Sequence, residues 1–115
     1  MNMEIKAPGN FNYVIPPYIQ VGGQTIVIKF VDTIEGGSLG ESLTCGGYIK
    51  IADNSKGYKQ TGDSKLNTFI HECTHLILDN MGRGELSQDE QFVCTFAGFA
   101  NEILKSILNQ NLYGK

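Results

Sequence analysis

The 115 residues, 41% of them apolar, fill one compact domain and leave too little chain for a two-lobed enzyme. The net charge is −3 with no cluster of Lys and Arg, which argues against a direct nucleic-acid partner, since phosphates call for concentrated cations. Three cysteines without CxxC spacing make no disulfide framework, the first ten residues hold no apolar signal core, and no apolar run is long enough to span a bilayer, so the expectation is a reduced, cytoplasmic protein without a membrane partner.

In chain order, Pro16-Pro17 keeps the opening segment out of regular helix. Gly22-Gly23 separates two expected strands, Tyr18–Val21 and residues 24–32, as a hairpin. A glycine-rich loop over residues 36–40 leads to a weak extended segment at 41–45. Tyr48–Ala52 alternates and reads as a strand whose Lys50 suits an edge or a half-exposed face. Residues 53–62 form a polar loop.

Asp63 or Ser64 is then placed to cap a helix over residues 65–80 that ends at Gly82. Phe69, Ile70, Cys73, Leu76 and Ile77 recur on what would be its buried face. Ser87 opens a second helix, expected to run to about Asn109. Phe92, Phe96, Phe99 and Ile103 make one apolar stripe on it; Val93, Ala97, Ala100, Leu104 and Ile107 make another. A helix apolar over so much of its circumference is expected at the centre of the core. The fold class that follows is α+β, a small antiparallel or mixed sheet from the first half packed on two C-terminal helices.

The chemistry lies in His71-Glu72-Cys73-Thr74-His75, an HExxH motif on the first helix. Residues four apart stand one turn above each other, so two imidazoles reach one metal ion from a rigid base. Glu72, about a third of a turn away, is placed as the base that takes a proton from a zinc-activated water. These are the only two histidines of the chain, so the third protein ligand of a catalytic zinc has to be a carboxylate or thiolate of the second helix. Glu90, Asp89 and Cys94 are the candidates, with Glu90 preferred because Ala97 and Asn101 share its face and allow close approach. Against it stands Ser87-Gln88-Asp89-Glu90, which also reads as a capping box. Asp79, one turn beyond His75, is a candidate acceptor for a ligand imidazole N–H. Cys73 reads as core packing. Tyr13, Tyr18, Tyr48, Tyr58, Tyr113 and Arg83 are all possible donors to a developing oxyanion.

With these residues in view, the chain resembles the short metallopeptidase-like proteins of phages and prophages, relatives of the ImmA/IrrE-type zinc peptidases of the gluzincin group. The likeness runs over most of residues 24–108. It is carried by a strand like Ile26–Phe30, the Gly40-Glu41 pair, a strand like Tyr48–Ala52, the HExxH helix, and the acidic helix start at Asp89-Glu90 with Ala97 beyond it. It implies a minimal zincin-like fold, zinc on His71, His75 and Glu90, Glu72 as base, and a prophage setting in a bacterial host. The expected activity is endopeptidase cleavage of a protein or peptide lying extended along Tyr48–Ala52. The alternative is a zincin scaffold that recognises a protein partner without cleaving it; a purely structural zinc has no use for Glu72.

Overall fold

The computed structural model describes residues 15–108. Strand β1 (Tyr18–Val21) turns through Gly22-Gly23, both at positive φ, into β2 (Gln24–Val31). A short 3-10 turn at Glu35–Gly37 leads to β3 (Gly40–Leu43), which returns through residues 44–47 to β4 (Tyr48–Ala52). A minimal hairpin, β5 (Asn54–Ser55) and β6 (Tyr58–Lys59), occupies the stretch expected as plain loop; Lys56 and Gly57, both at positive φ, make its turn. Helices α1 (Gly62–Asn80), α2 (Gly84–Ser87) and α3 (Glu90–Leu108) follow. The molecule is α+β, as the texture of the two halves implies.

The main sheet runs β1-β2-β4-β3 and is mixed: β1 and β3 are antiparallel to their neighbours, whereas β2 and β4 are parallel. Parallel pairing of β2 with β4 pushes the intervening β3 to the outer edge. Tyr48–Ala52 is therefore an interior strand, hydrogen-bonded on both sides, and Lys50 marks its half-exposed face and not an edge. Alternation sends Ile26, Ile28, Ile49 and Ile51 to the face that meets α1, where Leu66, Phe69 and Leu76 close the core. Ile77 is not part of that face; it is 47% exposed.

Helix α1 starts three residues earlier than expected because Thr61, not Asp63 or Ser64, accepts from the Ser64 amide (3.1 Å). Its end matches the expectation: Gly82 is left-handed, and the bonds Arg83 N–H to Leu78 O and Gly82 N–H to Asp79 O close a Schellman motif. Gln60 joins sheet to helix. Its buried amide donates to the carbonyls of Ala52 (2.6 Å) and Leu39 (3.3 Å) and accepts from the hydroxyls of Ser64 and Thr68.

The second half departs most from expectation. Residues 84–108 form two helices, with α2 a single turn. Helix α3 packs on α1 and α2 through Val93, Ala97 and Asn101, so only α1 lies broadly on the sheet. The phenylalanine stripe is outside, with Phe92, Phe96, Phe99 and Ile103 between 37% and 64% exposed. Ala97, 1% exposed, lies on the buried face of α3, opposite the bulky stripe left in solvent. Asn109 lies outside the described residues. No described helix is long and apolar enough to cross a membrane.

Candidate metal centre

His71 and His75 stand one turn apart on α1 with ring centroids 5.0 Å apart. Glu90, in the first turn of α3, faces both: its two carboxylate oxygens lie 3.3 Å from His71 Nε2 and 3.2 Å from His75 Nε2. One ligand atom from each of the three residues falls within 4.8 Å of the others. Tetrahedral coordination with bonds of about 2.0–2.1 Å separates neighbouring donors by roughly 3.3 Å, close to both Glu90–imidazole distances, so these residues are of the type, and near the spacing, that could hold a zinc-sized ion.

The other ring nitrogens are engaged elsewhere. His75 Nδ1 is 3.0 Å from Ser87 Oγ, and His71 Nδ1 is 3.9 Å from Cys94 Sγ. Ser87 is buried at the end of α2, whose single turn carries it under the imidazole. No capping box forms between Ser87 and Glu90; Asp89 caps α3 instead, its carboxylate accepting from the Phe92 amide (3.1 Å). That frees Glu90 to face the histidines and turns Asp89 away from them. Of the three candidates for third ligand, Glu90 alone brings a donor atom to both imidazoles on their Nε2 side, while Cys94 touches the back of one ring. Asp79 is exposed and pairs with the Thr44 hydroxyl (3.4 Å); the polar group beside His75 Nδ1 is Ser87, not Asp79.

Glu72 points between α1 and β3. Burial pushes its carboxyl above the ordinary carboxylate range, and nearby Glu90 adds to this; the Ser42 hydroxyl and the two imidazoles pull the other way. The strand comes this close because residue 40 is glycine. A Cβ there would collide with Thr68 Cγ2 and stand 3.2 Å from Glu72 Cγ. Gly40 and Ser42 thus face the base, while Glu41 turns to the outer face and accepts from Tyr48 Oη (3.1 Å), which raises the Tyr48 pKa.

These groups share a cleft of about 530 Å³ between β3, α1 and the start of α3, whose wall also includes Ser38, Leu39, Asn67 and Thr68. The tyrosines proposed as oxyanion donors do not line it: Tyr48 turns to Glu41, Tyr18 and Tyr58 sit on β1 and β6, and Tyr13 and Tyr113 lie outside the described residues. Arg83 is bound to Glu85 (2.8 Å). Among the uncharged polar residues of the wall, Thr68 is committed to Gln60, and Asn67 stands one turn before His71 on the same helix; that i, i+4 relation to the motif is the signal that could have singled it out. Comparison with family models, with curated proteins and with solved structures finds no significant match.

Proposed function

We propose that the chain is a zinc-dependent peptidase whose metal is held by His71, His75 and Glu90 and whose general base is Glu72. The observation that carries this reading is the convergence of Glu90 on both Nε2 atoms, beside a buried carboxyl whose pKa is raised, in a single open cleft. Zinc on these donors would supply the Lewis acidity that brings the pKa of water from about 15.7 towards 7. Glu72, a stronger base for being buried, takes the proton of the attacking water as its oxygen bonds to the scissile carbonyl carbon. The same carboxyl then hands the proton to the amine nitrogen as the C–N bond breaks. Asn67 is placed to donate to the carbonyl oxygen as it becomes negative.

An extended substrate cannot pair with β4, because β2 and β3 occupy both its edges. The strand available is β3, which pairs only with β4 among the described residues and passes Gly40 beside Glu72. A peptide added there would lie across the cleft. The second reading, a partner-binding scaffold without turnover, draws on the positions of Tyr48 and Arg83, whose donors are engaged outside the cleft.

Elemental analysis and peptide-library cleavage of wild type, Glu90→Ala and Glu72→Gln test both. The expected result is one zinc per chain in wild type and Glu72→Gln, weakened zinc in Glu90→Ala, and chelator-sensitive cleavage in wild type only. Zinc without cleavage would select the scaffold reading. No zinc uptake by wild type would remove the metal centre, and normal cleavage by Glu72→Gln would remove the assigned base.

A further inference from the structure

The apolar stripe of α3 has no part in the metal cleft. Ile107, grouped from the sequence with the Val93 stripe, is 59% exposed and continues the phenylalanine stripe instead, so Phe92, Phe96, Phe99, Ile103 and Ile107 follow one another at intervals of four, three, four and four residues, which on a helix is one narrow seam of the kind that packs on a second helix. Beside its N-terminal half runs a groove of about 330 Å³ between α1, α2 and α3, where Ile77, Met81, Leu86, Phe92 and Phe96 present only apolar surface. The groove and the metal cleft share no lining residue.

Ile77, Met81 and the five seam residues are each between 37% and 64% exposed. At roughly 200 Å² for a fully exposed side chain of this size, they leave on the order of 700 Å² of apolar side-chain surface in water. Monomers rarely show a patch beyond about 300–600 Å², whereas one side of a standard stable interface covers about 800 Å². The seam carries no charge, so nothing on it repels a copy of itself. Its two ends also differ, with phenylalanine rings and the groove at one end and the branched side chains of Ile103 and Ile107 at the other.

We infer that two copies of the chain pair through α3 in an antiparallel, twofold-symmetric dimer. Ile103 and Ile107 of each copy enter the groove between Phe92, Phe96, Ile77 and Met81 of the other, and Phe99 lies near the twofold axis. An antiparallel twofold puts each end of the seam against its complement at both ends at once. The metal clefts, on the other flank of each α1–α3 pair, stay open.

Sedimentation equilibrium of the full chain, over about 1 to 200 micromolar, tests this. The expected mass tends to twice 12.6 kDa. Ile103→Glu and Phe99→Glu, both at positions already exposed, raise the dimer dissociation constant at least about tenfold with an unchanged far-ultraviolet circular dichroism spectrum. Gln88→Glu, exposed but off the seam, leaves it unchanged. A wild type that stays monomeric throughout, as it would if another part of the chain or a different partner covered the seam, overturns the inference. So does a mass that keeps rising past the dimer, or a dimer indifferent to both seam variants.

Discussion

At the scale of single residues, the site depends on contacts that distance along the chain conceals. Ser87 carries the sequence signal of a helix cap, and nothing local distinguishes that role from the one it has. Only the docking of α2 against α1 brings its hydroxyl to His75 Nδ1. An imidazole that gives its Nε2 lone pair to a metal carries its proton on Nδ1, and there the Ser87 oxygen is within reach to accept it. Ser87→Ala should weaken zinc binding by about tenfold or more, read by competition with a chromophoric chelator; an unchanged affinity would deny Ser87 this orienting role. The HExxH residues were legible because their geometry is that of a single helix. The cysteines illustrate the same division. Cys73 at helical spacing reads as packing, and in the fold it lies against the core with its thiol pushed up to about 12 by burial. Thiolate is the reactive form, and at pH 8 it is the negligible form of such a thiol. Cys45 and Cys94 are exposed, so a disulfide reagent should titrate two thiols in the native protein and the third only after unfolding.

At the scale of elements, alternation and capping located β1, β2, β4 and α1 to within a few residues, because each has a strong local period or a clear terminator. The start of α3 was legible as a region and wrong in detail: Ser87, Asp89 and the glutamate between competing roles offer two overlapping cap signals, and the contact of Glu90 with the histidines accompanies the choice of Asp89. Strand β3 gave the weakest signal, since Gly40-Glu41-Ser42-Leu43 lacks β-branched residues and derives its place from pairing with β4. Yet this strand forms one wall of the cleft, and its distance from α1 is set by one missing Cβ. Gly40→Val should force β3 away from Thr68 and Glu72, lowering unfolding free energy by about 1–3 kcal/mol in a denaturant titration. An unshifted midpoint would mean that the strand has room to spare.

At the scale of the whole molecule, the α+β class follows from a first half rich in extended residues and a second half that is helical, and it was legible for that reason. The order of the layers was not. Two apolar stripes on α3 compete for the same neighbour, and periodicity measures how apolar a face is without naming what it touches. In the fold Val93 and Ala97 are the buried pair, and the larger stripe is left facing outward. The twofold pairing inferred above belongs to this scale, as it concerns what a molecule with such a face does in the company of its own kind.

The position of Glu90 in the first turn of α3 has a consequence for the chain's entropy. His75 and Glu90 are separated in sequence by α2 and its flanking turns, and an ion held by both would close that stretch into a ring. Covalent cross-links around loops of such length restrict the unfolded ensemble by about 3 kcal/mol, and a coordinate tie that survives unfolding would act in the same direction. One that is released on unfolding would contribute through its binding equilibrium instead. On either route the metal would serve as a clasp between the two long helices, so that α1 and α3 hold together most firmly when the cleft is ready to work.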